Sequence, residues 1–168
     1  MPDIRTKVRQ CTKCRETKET QIALYLNLDG GERKIETGIG FFDHMLNSFA
    51  VHSGFGLIIK CTGDLEVDGH HTVEDVGIVL GQAFANILGD RAGIARFGSA
   101  YVPMDEALGF GALDISGRPY LVFDAPMPQA MCGQYDACLT VEFMRAFAMN
   151  AGVTLHLKSL YGENSHHI

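Results

Sequence analysis

The sequence predicts an α+β fold made by internal duplication of a strand, helix and hairpin unit, and three landmarks in one order carry that reading. Around Glu19 stands ETQIALYLNLDGG and around Glu106 stands EALGFGALDISGR, each running from a carboxylate through apolar alternation to a glycine turn. HMLNSFAVHSGFGLIIK at 44–60 matches EFMRAFAMNAGVTLHLK at 142–158, so Phe49 falls on Phe147, Gly54 on Gly152, Leu57 on Leu155 and Lys60 on Lys158. His70-His71 then falls on His166-His167. Two related lobes around a pseudo-twofold axis are expected, residues 1–95 forming the first half-domain and 96–168 the second.

Taken in order, residues 20–28 alternate, with Ile22, Leu24, Leu26 and Leu28 on one side and Asp29-Gly30-Gly31 turning the chain, which is the pattern of a half-buried antiparallel strand. Phe42, Met45, Leu46 and Phe49 recur at helical spacing up to Ser53-Gly54, with His44 at the edge of the apolar stripe. Residues 57–67 read as a strand, a Thr62-Gly63-Asp64 turn and a second strand. Val76, Ile78, Val79, Ala83, Phe84 and Ile87 mark a helix from His70 to Leu88, closed by Gly89. In the second copy the helix after the histidine pair is absent, and the sequence is expected to be cut short of it at Ile168.

The 168 residues suffice to bury roughly 70% of the unfolded surface, so no staples are needed. With 46% hydrophobic and 20% charged residues, the composition is that of a soluble globule without a disordered block. No apolar run approaches the ~20 residues of a membrane span, and Met1-Pro2-Asp3-Ile4-Arg5 is not a signal peptide, so a cytoplasmic protein is expected. A net charge of -6 argues against a nucleic-acid partner and requires any anionic ligand to be met locally, by a few arginines or a metal. The five cysteines form no disulfide framework, and Cys11 and Cys14 lack the second pair of a zinc ribbon; they read as incidental thiols on an N-terminal strand.

The donor pattern is more specific. His70 and His71 with Glu74 put imidazoles and a carboxylate on neighbouring faces of a helix start, a set suited to a borderline divalent cation such as Mn, Fe or Zn. A single histidine is ordinarily a hydrogen-bonded surface or core residue, but five of the seven, His44, His70, His71, His166 and His167, fall at repeat-related landmarks. Asp105 and Glu106 stand where the repeat places Glu19, as relics of duplication or helpers at a site. His156 alternates with Leu155 and Leu157 and reads as structural.

GIGFFDHML at 38–46, DGHHTVEDVGIVLGQA at 68–83, RFGSAYVPMDEAL at 96–108, LDISGRPYLVF at 113–123 and GENSHHI at 162–168 resemble the imidazoleglycerol-phosphate dehydratase family of histidine biosynthesis. The resemblance implies a four-stranded sheet with two helices in each half, the second half here missing its C-terminal helix. It also implies trimers that assemble into a 24-mer holding two Mn2+ ions per active site. Carried over by position, His44, His70, His71, Glu74, Glu142, His166 and His167 are implied metal ligands, Glu142 standing where the family commonly has histidine. Glu19 is the implied catalytic base, Glu19 and His52 lie near the reacting carbons, and Arg96 and Arg118 hold the phosphate.

The implied reaction is dehydration of imidazole glycerol phosphate to imidazole acetol phosphate, through a metal-stabilised imidazolate and a diazafulvene. Two other readings stand beside it at this point: a catalytically incomplete trimeric assembly scaffold, and a metal-dependent hydrolase using a metal-bound water.

Overall fold

The computed structural model describes residues 9–168; the chain start, residues 1–8, where the sequence reads as no signal peptide, lies outside the described residues. The first half runs β1 (Gln10–Glu16), β2 (Thr20–Asn27), β3 (Arg33–Glu36), α1 (Gly40–Ser53), β4 (Gly56–Gly63) and α2 (His70–Leu88). The second half runs β5 (Phe97–Met104), β6 (Ala107–Asp114), β7 (Tyr120–Asp124), a short ribbon of β8 (Met131–Cys132) and β9 (Tyr135–Asp136), α3 (Leu139–Ala151) and β10 (Thr154–Tyr161). The two four-stranded sheets have orders β1-β2-β4-β3 and β5-β6-β10-β7. In each, the first two strands pair antiparallel and the edge strand, β3 or β7, runs parallel to its neighbour. One topology is used twice, which is the duplication expected from the sequence. The first sheet carries α1 and α2, the second carries α3, and no counterpart of α2 follows β10 up to Ile168. No helix among the described residues is long and apolar enough to cross a membrane.

Alternation builds the core. Ile22, Leu24 and Leu26 of β2 and Leu57, Ile59 and Cys61 of β4 point inward, against Phe42, Leu46 and Ala50 of α1 and Val73, Val76, Val79, Leu80, Ala83 and Ile87 of α2. Tyr135 and Leu139 from the second half close this cluster, so the halves share packing. Helices α2 and α3 lie close because Gly77 and Gly81 face α3: a Cβ on Gly77 would stand 2.8 Å from the Phe143 carbonyl oxygen, and one on Gly81 2.7 Å from that of Phe147.

Burial also sets a response to alkali. It pushes the Cys61 thiol from 9.0 up to about 11 and the Tyr135 hydroxyl from 10.0 up to about 12. The folded state thus keeps protons that the unfolded chain releases. Stability from these groups is complete below pH 9.0 and falls as pH rises through about 11 and about 12. Urea midpoints measured across that range are expected to drop, and less so in Cys61→Ser at its own baseline.

Several expectations are corrected. The 57–67 segment forms no second strand: β4 ends at Gly63 and the chain turns, because the Asp64 N–H and carboxylate are taken up by Glu19 and His71. Met45 and Phe49 are 42% and 39% exposed, so the buried stripe of α1 is Phe42, Leu46 and Ala50. Cys11 and Cys14, by contrast, lie on an N-terminal strand as expected, three apart on β1 and on opposite faces.

Candidate active site at the helix starts

The three helices begin close together. Gly69, just before α2, packs against Ile39 before α1 and Leu139 opening α3. The start of α1 is tied by Thr37, whose N–H and hydroxyl donate to Asp43 Oδ1 at 2.9 and 2.5 Å, and His44 is the next residue. The two histidine pairs are set by the same local device. Asp68 Oδ1 accepts the His70 N–H at 2.7 Å, and Asn164 Oδ1 accepts the His166 N–H at 3.0 Å.

Between them these starts bring the repeat-related imidazoles into two kinds of pair, one across the halves and one between chain neighbours. His44 and His166 have ring centroids 5.5 Å apart, with Phe41 edge-on to His166 at 5.1 Å. Within each adjacent pair the rings are near perpendicular, at 85° for His70 and His71 and 87° for His166 and His167. The His70 Nε2 stands 3.6 Å from Glu74 Oε2, one helical turn on. His71 Nδ1 lies 2.9 Å from Asp64 Oδ2, and His167 Nδ1 lies 2.7 Å from Glu106 Oε2. The Asp64 hydrogen bond raises the His71 pKa, with smaller contributions from Glu19 and Asp68. The bond to His167, with backbone donors behind it, holds the Glu106 carboxyl down at about 2.

Glu19 sits on the β1–β2 turn. Its N–H donates to Thr17 Oγ1 at 3.2 Å and its carbonyl accepts the Asp64 N–H at 3.1 Å. Among the described residues its exposed carboxylate has no hydrogen-bond or ion-pair partner. The turn is pinned to α2 from below: the Thr20 hydroxyl donates to Asp75 Oδ2 at 2.5 Å, and Arg15 Nε stands 2.9 Å from Asp75 Oδ1. Asp75 is only 7% exposed, so Asp75→Ala leaves a buried hydroxyl with only its 3.2 Å contact to Thr17 Oγ1 and a half-covered guanidinium with no ion partner there. An expected loss of about 2–3 kcal/mol in urea unfolding follows, reduced from a fully buried pair because Arg15 reaches water.

Other expected site residues lie elsewhere. His52 is eight residues beyond His44 in α1, about 12 Å along the helix, where the chain passes to β4. Arg96 grips Asp114 at 2.6 and 3.0 Å and Arg118 reaches it at 3.4 Å. Asp114 ends β6, while Glu106 precedes its start, so roughly 23 Å of strand separates the arginines from His167. Glu142, in the first turn of α3, is paired with Arg145 at 2.5 Å. Among the described residues of one chain, no three of His, Cys, Asp and Glu form a group that could hold a metal. Asp64 was read only as a turn residue and Asp75 went unnoticed in the sequence, although Asp75 follows Glu74 on the inward face of a strongly patterned helix.

Fold and site together define an α+β enzyme built by duplication, with its acid–base side chains gathered at helix starts. Comparison with known proteins supplies the family. The family model described as imidazoleglycerol-phosphate dehydratase matches residues 37–168. The imidazoleglycerol-phosphate dehydratase of Acetivibrio thermocellus is 60% identical over 155 residues, covering 92% of this chain and 80% of that protein. The one from Azorhizobium caulinodans is 56% identical over 162 residues, covering 96% of this chain and 82% of that protein. The crystal structure of imidazoleglycerol-phosphate dehydratase from Staphylococcus aureus superposes with a TM-score of 0.86 at 40% identity, covering 94% of this chain and 88% of that one. The chain belongs to the imidazoleglycerol-phosphate dehydratase family, and as a dehydratase it is a hydro-lyase.

Proposed function

We propose that this chain dehydrates imidazole glycerol phosphate to imidazole acetol phosphate in histidine biosynthesis, working as a homo-oligomer of trimers, eight of which make a 24-mer. The supporting observation is 60% identity to a dehydratase of that name together with imidazole pairs repeated at matched turns. The two half-domains, 1–95 and 96–168, each contribute one pair.

His44, His70, His71, Glu74, Glu142, His166 and His167 would hold two Mn2+ ions per active site. The donor chemistry fits, since nitrogen and carboxylate oxygen suit a borderline cation, and His71 and His167 commit Nδ1 to carboxylates, leaving the lone pair on Nε2, which at His167 meets only the long 3.4 Å contact from the Asn164 amide. When bound, such an ion acts as a Lewis acid and template toward an azole ring. Glu19, unpartnered and beside His71, takes the proton from the carbon next to the one that loses hydroxide. The departing hydroxide leaves as water, and the resulting enol becomes the ketone. Arg96 and Arg118, gathered at Asp114, receive the phosphate, and His52 stands near the reacting carbons. Since about 23 Å of strand separates the arginines from the helix starts, a small phosphate ester meets both sets only where two copies adjoin.

Incubating the purified protein with Mn2+ and imidazole glycerol phosphate should yield one ketone per substrate consumed. Metal-loaded protein that forms no ketone would overturn the proposal. Nothing in the comparisons favours a hydrolase.

A further inference from the structure

We infer that Asp64 and Glu106 are a matched pair of positioning residues, each gripping the Nδ1 of one histidine, His71 or His167, so that its Nε2 faces outward as a ligand. The inference rests on the proposed metal-binding role of those histidines.

The duplication supplies the argument. It places Glu19 and Glu106 at the same turn, between the first two strands of each sheet. In the second half, Glu106 is fully engaged: Oε2 lies 2.7 Å from His167 Nδ1, and Oε1 accepts the N–H groups of Glu163 and Asn164 at 3.1 and 2.9 Å. In the first half the grip on the matching histidine comes from a different place, Asp64 in the turn after β4, at 2.9 and 3.2 Å from His71 Nδ1. Simple inheritance from one ancestral unit would have kept the gripping residue at one repeat position. Two halves that reach the same contact from non-equivalent positions indicate that the contact itself is required.

The tautomer follows from the partners. A carboxylate on Nδ1 calls for the proton there, leaving a lone pair on Nε2. At His167 the Asn164 amide nitrogen stands 3.4 Å from Nε2, where it donates to that lone pair. Asp105 Oδ2, at 3.9 Å from Nε2, is too far for a hydrogen bond. A carboxylate behind a ligand histidine is the common means of fixing ring orientation and basicity in metal sites. The arrangement also divides labour between the duplicated carboxylates: Glu106 is consumed as a clamp, and Asp64 relieves Glu19 of the same duty.

Two measurements test this. In metal-free protein at mildly alkaline pH, nitrogen–proton correlation spectra of the imidazole rings should show His71 and His167 as the Nδ1–H form. Asp64→Ala should scramble the tautomer of His71 alone and Glu106→Ala that of His167 alone. Titration calorimetry with Mn2+ should show ~10–100-fold weaker binding in each alanine variant. Asp64→Asn, which keeps an oxygen for Nδ1–H, should restore most of the affinity. Wild-type tautomers and affinity in Asp64→Ala would overturn the inference, and that variant decides the matter if Glu106→Ala fails to fold. Wild-type protein that binds no Mn2+ would sink the metal reading, while the ring spectra still judge the clamp.

Discussion

Glu19→Gln is expected to lower turnover by about 10²–10⁴-fold while leaving metal content and melting temperature as they were. The substitution keeps the size of the side chain and removes only the capacity to take a proton. Nothing in the fold depends on that carboxylate: the turn is held by backbone groups of Glu19 and by Thr17, Thr20 and Asp75. The His71–Asp64 pair, whose imidazole feels the Glu19 charge, stays intact. A loss confined to kcat, with Mn2+ counted by elemental analysis at wild-type level, identifies the base; normal turnover by the Glu19→Gln enzyme removes Glu19 from the mechanism. Asp75→Ala makes the contrast, since it should cost stability first.

The duplication was readable because its landmarks are short-range. A helix stop at Gly54 or Gly152 and a histidine pair after an Asx turn are written in consecutive residues, and they recur in order. Sheet order was not readable in the same way. The edge strand β3 has only four residues, Arg33–Glu36, three of them exposed, and it exists because β4 offers it a parallel partner. Likewise, the turn after Gly63 depends on the approach of Thr72, whose hydroxyl would lie 2.0 Å from any Cβ at that position. Local propensity has no view of either neighbour.

The site divides along the same line. His70, His71, His166 and His167 announce themselves by adjacency and repetition. The carboxylate that grips His167 does not, because Glu106 meets it across 61 residues, and the Asp75 acceptor beneath the Glu19 turn is as hidden, meeting Thr20 across 55. Asp64 is only seven residues from His71 and was read in a turn, but the second strand expected after that turn would have carried the chain away from the ring. The separation of Arg96 and Arg118 from the imidazoles was equally hidden, since the length of β6 matters only once its two ends are known to carry different parts of the site.

The perpendicular rings lead to the second large effect, the loss of metal on removing His70 and His71. The two imidazoles stand near perpendicular, at 85° with centroids 6.1 Å apart, and each has a carboxylate partner of its own. His70 faces the side of Glu74, and His71 is turned by Asp64. On the proposed metal reading, with separate carboxylate partners, each histidine serves a different ion. Exchanging either one for alanine should remove about half of the bound Mn2+, and exchanging both should remove all of it, as counted by elemental analysis after dialysis. Both side chains are 43% exposed, so the apo fold should survive with unchanged circular dichroism. Adding Mn2+ should raise the melting temperature of the wild type, by mass action on the folded state, and leave the double variant where it was. Equal metal counts in the wild type and the double variant would show that the paired histidines hold no ion, and the assignment of the repeat to metal binding would fall with them.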